Sequence, residues 1–141
     1  MNTKYPNTKL IILGDGPLKE KLENLIKKLK LKKSVFLLGR ISNPYPYLKK
    51  ADCFVMSSNH EGQPVTLLES LVLDKYIIAT DIAGNRSVLE KNGGILVDNT
   101  IEGLKNAMID YINGKKLYNN FNPFIYNTNL INKFYQECRD V

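Results

Sequence analysis

Two carboxylates separated by seven residues, Glu61 and Glu69, lie in a stretch whose residue types combine for chemistry. It reads Asn59-His60-Glu61-Gly62-Gln63-Pro64-Val65-Thr66-Leu67-Leu68-Glu69-Ser70. This is a loop acid, a glycine, a proline able to open a helix, and a second acid near the helix's second turn. Proline at the first helical position forfeits only an amide that had no partner. Val65, Leu68, Leu71 and Val72 then recur at helical spacing and predict a buried stripe. The amides of Val65, Thr66 and Leu67 would lie free at the helix start, where the dipole is positive and phosphate is favoured. Acids beside such a site repel phosphate but accept hydrogen bonds from hydroxyls. A ligand carrying both groups, as a nucleotide sugar does, fits the combination.

The elements that must position these residues alternate strand and helix. Lys9–Leu13 is a short apolar run that predicts a strand covered on both faces. Gly14-Asp15-Gly16-Pro17 turns it into a helix with Leu18, Leu22, Leu25, Ile26 and Leu29 on one side. Val35–Leu38, closed by Gly39, reads as the second strand. A loop with Pro44 and Pro46 leads to a helical turn around Leu48, and Cys53–Met56 is the third strand. Beyond the Pro64 helix, Tyr76–Ala79 and Gly94–Val97 read as strands either side of a short helix from Ala83 to Glu90. Thr100 caps a helix with apolar Ile101, Leu104, Met108 and Ile112. The Asn-rich stretch from Gly114 to Asn129 reads as loop, followed by a helix carrying Leu130, Ile131, Phe134 and Tyr135. This pattern predicts a doubly wound, mostly parallel, Rossmann-like α/β sheet forming one domain over residues 1–141. Ligands gather at the carboxyl ends of such strands. The loops 14–17, 39–41, 57–63 and 80–86 all fall there.

Composition narrows the classes. With 43% hydrophobic and 24% charged residues, the 141-residue chain reads as globular, burying roughly two-thirds of its unfolded surface. No apolar run approaches a membrane span, and the polar lead from Met1 to Lys9 lacks a secretory core. Cys53 and Cys138 have neither metal nor redox spacing, which favours a reduced, cytoplasmic setting. One histidine and no Cys/His cluster argue against a zinc site. The net charge is +6, and much of the excess sits in Lys27, Lys28, Lys30, Lys32 and Lys33. These read first as the solvated end of a helix; an anionic membrane surface or nucleic acid is the sharper alternative. Lysines without interleaved aromatics speak against nucleic acid.

In their order along the chain, several segments carry a family likeness: Gly14-Asp15-Gly16-Pro17, Phe36-Leu37-Leu38-Gly39, Ala51-Asp52, Ser57-Ser58, Glu61-Gly62, Glu69, and Gly84 to Glu90 after Asp81. From about Leu10 to Val97 the chain resembles the C-terminal, donor-binding half of a family 4 retaining glycosyltransferase of the GT-B fold. The wording around Glu61 and Gly84 looks most like bacterial enzymes that build surface polysaccharides. The resemblance implies a nucleotide-sugar donor, UDP-linked, with no cofactor and no divalent metal. Glu61 would be the catalytic residue and, with Gly62 and Gln63, would hold the donor sugar through its hydroxyls. Glu69 would take the ribose hydroxyls, and the amides of Val65, Thr66 and Leu67 the diphosphate. Gly39, Arg40 and Ile41 would border the base. A glycan or lipid-linked acceptor would bind through an N-terminal domain not contained here, with contact at the inner face of the cell membrane as a further expectation.

Two departures from the family pattern carry predictions. The half normally opens with one more strand and helix, bearing an Arg and a Lys for the diphosphate, and nothing upstream of Lys9 supplies them. The strands at Leu10 and Cys53 must then pair directly, or borrow a strand from another molecule, which would make copies self-associate. The alternative to an enzyme part is therefore a catalytically inactive remnant that binds a nucleotide sugar or a partner chain. The second departure is Asp74-Lys75, which replaces the glycine expected to end the central helix. Among single residues, Lys19 stands where a dinucleotide fingerprint needs its third glycine, so Gly14–Pro17 reads as a turn and Asp15 as a turn former. His60 reads as a loop residue. Arg86 can pair with a phosphate or with Glu90 one turn on, and Tyr45 and Tyr47 can stack on a base or pack under their loop.

Overall fold

In a computed structural model the chain alternates strand and helix as the pattern requires. The structure describes residues 4–115 and 119–139, with the side chains of Phe134, Glu137, Cys138 and Arg139 outside what is described. The elements are β1 (Leu10–Leu13), α1 (Lys19–Lys28), β2 (Val35–Gly39), α2 (Tyr45–Lys50), β3 (Cys53–Met56), α3 (Val65–Val72), β4 (Tyr76–Thr80), α4 (Ala83–Asn92), β5 (Ile95–Val97), α5 (Ile101–Ile112) and α6 (Pro123–Arg139). Their contacts divide the chain into two compact units, Met1–Pro46 and Tyr47–Val141.

The parallel α/β expectation is met, but the strands form two sheets. In the first unit β1 pairs in parallel with β2, Leu10 opposite Val35, with an irregularity between Ile12 and Leu13. In the second, β3, β4 and β5 are parallel in that order, Met56 opposite Ala79 and Thr80 opposite Val97. Direct pairing of the Leu10 and Cys53 strands does not form: β1 and β3 each have a single neighbour. A parallel strand without a second neighbour leaves one row of amides and carbonyls unpaired. The predicted cover on both faces of β1 fails with it, since Leu10 and Ile11 are 46% and 47% exposed.

The core belongs to the second unit. Met56, Leu67, Leu71, Ile77, Ala79, Val88 and Leu89 form one buried cluster, with Phe54, Leu68, Leu96 and Phe121 packed against it. β4 is central because it has a strand on each side and contacts with α3 and α5. In the first unit, by contrast, no described residue is fully buried. The leucine stripe of α1 lies on a two-stranded ribbon too narrow to cover it, so Leu18, Leu22, Leu25 and Leu29 are all exposed.

Three further expectations are corrected. The buried side of α3 is Leu67, Ser70 and Leu71, with Leu68 half-buried, while Val65 and Val72 are each 55% exposed. On a helix this short, the stripe facing β4 is rotated by part of a turn from the one the spacing suggested. Ile101 of α5 is likewise exposed, and Ala107 is buried in its stead. Residues 123–129, expected as loop, are the first turns of α6: Asn122 Oδ1 accepts the amides of Phe124 (3.0 Å) and Ile125 (3.1 Å), and Pro123 fills the first position. At the end of α3, Asp74 takes the left-handed backbone (φ 52°) that a glycine would adopt at no cost.

Candidate functional site

β3 and β4 run in parallel register, so the loop after Met56 and the turn after Thr80 leave the sheet at the same edge. There a chain of hydrogen bonds reaches from the core to Glu61. Asn85, fully buried in the first turn of α4, donates Nδ2–H to the Thr80 carbonyl (2.9 Å) and to Thr80 Oγ1 (3.3 Å). Thr80 Oγ1, also fully buried, donates to the Ser58 carbonyl at 2.6 Å. Ser58 Oγ in turn donates to Glu61 Oε1 at 2.7 Å. Hydroxyl donation to a carboxylate at that length is charge-assisted, worth roughly 1.5–3 kcal/mol.

The loop is held elsewhere as well. Asn99 beyond β5 donates to Asn59 Oδ1 at 3.0 Å. Gly84 of α4 is buried directly against the Glu61 main chain, so closely that a Cβ there would overlap the Glu61 carbonyl oxygen. The result is a half-buried carboxylate with Oε1 pinned and Oε2 without a partner among the described residues. Beside it Gly62 has nothing within 4 Å of where a Cβ would stand, so the loop presents bare backbone to solvent. Such an arrangement can take hydrogen bonds from ligand hydroxyls through Oε2 while the carboxylate plane stays fixed.

Pro64 is the N-cap of α3, one position earlier than the sequence suggested. This changes the supply of amides. Val65 N–H is taken by the Gln63 carbonyl (2.9 Å) and Leu67 N–H by that of Pro64 (3.0 Å), whereas the Thr66 amide finds no acceptor in the preceding turn. Of the three amides expected to be free, those of Val65 and Leu67 are occupied, and Thr66 N–H has no backbone acceptor among the described residues. Glu69 lies half-buried on the second turn of the same helix, and Gln63 is exposed in the loop. Glu61, Gly62, Gln63, Val65, Thr66, Leu67 and Glu69 thus share one loop and helix start in the second unit. Gly39, Arg40 and Ile41 belong to the first unit, where the Gly39 carbonyl accepts the Gly14 amide at 2.7 Å and Gly39 itself is left-handed (φ 69°).

Arg86 is committed to neighbouring acids: its guanidinium lies 2.8 Å from Asp81 and, more loosely, 3.7 Å from Glu90. Asp15 is a local partner of Lys19 at 3.0 Å and raises the Lys19 pKa. At the opposite ends of β3 and β4, burial pushes the Cys53 thiol up to about 12, with Asp52 adding to the effect. The Tyr76 and Tyr111 rings meet at 4.4 Å, tilted by 41°, and burial raises both phenols. Among the described residues no group of three His, Cys, Asp or Glu could hold a metal ion, and no helix is long and apolar enough to cross a membrane. Sequence reasoning missed Ser58, Thr80, Gly84 and Asn85 as positioning residues. The available signal was polar side chains at the carboxyl ends of buried apolar strands.

Comparison with known proteins shows the family. The pattern of the family described as Glycosyl transferases group 1 matches residues 1–128. The chain belongs to that family. An uncharacterized glycosyltransferase of Methanocaldococcus jannaschii is 54% identical over 87 residues, which are 61% of this chain and 21% of the relative. An N-acetylgalactosaminyltransferase of Campylobacter jejuni, named as acting on a diphospho-undecaprenol-linked glycan, is 38% identical over 109 residues, 72% of this chain and 30% of the relative. The apo form of the lipopolysaccharide outer core galactosyltransferase WaaB superposes with a TM-score of 0.76 over 92% of this chain and 41% of that one, at 23% identity, a likeness of fold. The chain spans about a fifth to two-fifths of the length of these proteins. Within the glycosyltransferase family it therefore corresponds to a Rossmann-like part of the GT-B architecture.

Proposed function

We propose that this chain is the donor-binding part of a retaining glycosyltransferase. It holds a nucleoside-diphosphate sugar, UDP-linked, without a cofactor or divalent metal. The acceptor is a hydroxyl of a surface glycan or lipid-linked sugar, bound by a domain outside this sequence, and the reaction takes place in the cytoplasm. In the transfer the acceptor oxygen bonds to the anomeric carbon as its bond to the β-phosphate oxygen breaks. The nucleoside diphosphate leaves with the electron pair, and its departing phosphate oxygen takes up the proton of the acceptor hydroxyl on the same face. The protein's main task is to stabilise the charge on the departing diphosphate.

The observation that carries this reading is the Glu61 carboxylate, fixed by Ser58 through Oε1 with Oε2 left open. In the proposed complex Oε2 accepts sugar hydroxyls, Gly62 lets the backbone approach the sugar, and Gln63 borders it. The Thr66 amide faces the diphosphate; Val65 and Leu67, whose own amides are occupied, contribute through the positive start of α3. Glu69 takes the ribose.

Calorimetric titration of the chain with UDP and with UDP-sugars tests the assignment. Glu61→Ala is expected to remove the extra affinity a sugar gives over UDP alone, and Glu69→Ala to weaken both ligands alike. No binding at millimolar ligand by a folded chain would overturn it. A second reading, a catalytically silent chain that docks a partner strand, has the single-neighbour strands β1 and β3 in its favour. Donor binding by a chain of monomeric mass in light scattering would set that reading aside.

A further inference from the structure

Each strand of the second sheet is followed at its carboxyl end by an acid. Asp81 comes directly after β4, Asp98 directly after β5, and Glu61 stands in the loop after β3. Parallel register brings the three loops to one edge. Hydrogen bonds join them more closely. The Asp81 amide donates to the Val97 carbonyl at 2.7 Å, so the turns after β4 and β5 start side by side. Asn99 Nδ2 donates to Asn59 Oδ1 at 3.0 Å, which ties the turn bearing Asp98 to the loop bearing Glu61. That turn is itself fixed: the Asp98 carbonyl accepts the Thr100 amide at 2.7 Å, and a Cβ on Gly103 would crowd the same carbonyl oxygen. The Asp98 carboxylate has no partner among the described residues.

Positive charge does not balance these acids. Residues 57–63, 81–86 and 98–100 contain no lysine and one arginine, Arg86. Its guanidinium lies 2.8 Å from Asp81 and 3.7 Å from Glu90, two acids for one cation. His60, beside Glu61, is counted neutral at pH 7. The whole chain carries +6, so the negative character of this edge is local. Hydrogen-bonding capacity points the same way. A carboxylate can only accept, so one carried by a ligand has nothing to offer Glu61 Oε2 or Asp98. Acceptor facing acceptor and like charge facing like charge both oppose binding, whereas a hydroxyl or amide N–H meets neither penalty. We propose that Glu61 and Asp98 make the site selective for a donor whose sugar bears no negative charge, and that they turn away the matching uronate. The inference rests on the donor-binding reading and names the class of sugar that it takes.

Calorimetry on matched pairs tests it: UDP-glucose against UDP-glucuronate, and UDP-galactose against UDP-galacturonate. Within each pair a hydroxymethyl group is exchanged for a carboxylate on the same ring carbon. The uronate is expected to bind at least about tenfold more weakly than its neutral partner, by a margin that narrows as salt is raised. Glu61→Gln, which offers an N–H in nearly the same volume, should close most of that gap. Asp98→Asn should narrow it by about threefold and leave the affinity for UDP alone unchanged. Asp52→Asn removes the same charge before β3, at the other end of the sheet, and should leave the gap as it is; Asp52 and Asp98 are both exposed, so both variants should fold. A uronate bound as tightly as its neutral partner would overturn the proposal while donor binding stands. So would a gap that Glu61→Gln and Asp98→Asn leave as wide as Asp52→Asn does. Failure of a folded chain to bind any of the four UDP-sugars would instead overturn the donor-binding reading, and this inference with it.

Discussion

Replacing Gly84 with alanine tests whether α4 sets the position of Glu61. An added Cβ would overlap the Glu61 carbonyl oxygen, with the carbonyl carbon 2.9 Å and the Glu61 Cβ 3.0 Å away. The obstacle is largely backbone, so no side chain can swing aside. Gly→Ala at an unstrained helical position normally stabilises by about 0.4–1 kcal/mol through the unfolded chain. Overpacking costs about 1–3 kcal/mol. The clash wins, for a net loss of about 1–2 kcal/mol measured by urea denaturation. Relief by retreat of the loop is resisted at Ser58 by Thr80 (2.6 Å) and at Asn59 by Asn99 (3.0 Å), so the strain falls on residues 60–62 and on the 2.7 Å bond between Ser58 and Glu61. Losing that bond's guidance should weaken UDP-sugar at least about tenfold in calorimetry, the equivalent of about 1.4 kcal/mol, with little effect on UDP. Gly62→Ala is the comparator, since its Cβ meets nothing within 4 Å: stability is retained and only sugar binding falls. A Gly84→Ala protein as stable as the parent, with unchanged affinity for UDP-sugar, would refute the reasoning.

Three other outcomes follow from the geometry. Asp74→Gly should raise stability by about 1 kcal/mol in urea denaturation, because glycine takes the left-handed φ of 52° without steric cost; no gain would mean the αL cap is already relaxed. Cys53, with its thiol pushed up to about 12 by burial, should resist alkylation at pH 8 until the chain unfolds. Since the folded state keeps the proton, that contribution to stability is complete below the unfolded thiol's pKa and is lost as pH rises through it towards 12; Cys53→Ser should flatten this slope. Hydrogen exchange should be faster in β1 and β2 than in β4, where Ile77, Ile78 and Ala79 are at most 2% exposed, and equal protection would contradict the burial contrast.

Much of this was legible in the residues. Cys53–Met56 appears with the bounds expected of it, and Thr100 caps α5 through the Gly103 amide at 3.0 Å as its type suggests. Local chemistry of this kind is read where it acts. What periodicity could not say is what covers an apolar stripe. The α1 leucines have helical spacing, yet a two-stranded ribbon cannot bury them, and Val65 and Val72 lost their place to Leu67 and Ser70 when α3 met β4. The start of α6 was missed because Asn122-Pro123 lies within an Asn-rich stretch, where a cap looks like one more turn residue. At the site, Glu61 stood out through its glycine and proline neighbours. Its supports come from β4 and α4, 22 residues beyond Ser58 in the case of Thr80, and only strand register joins them.

The placement of buried polar groups gives that support its physical meaning. Ser70, Thr80 and Asn85 are the polar side chains described as buried. Ser70 is satisfied within its own helix by the Thr66 carbonyl at 2.7 Å, a local solution any serine there could find. Thr80 and Asn85 instead spend their hydrogen bonds on each other and on the Ser58 carbonyl, and Asn85 Oδ1 is left with no partner. An unsatisfied buried acceptor costs about 1–3 kcal/mol. The neighbouring strand residues Ile77, Ile78 and Ala79 show that this depth accepts apolar side chains. For stability alone, an apolar pair would serve as well at this end of β4. What the polar pair supplies is direction: a short bond from the rigid centre of the sheet fixes the Ser58 main chain, and Ser58 fixes one oxygen of Glu61. A carboxylate meant only to face water needs no such foundation, whereas one meant to meet a ligand in a single orientation does.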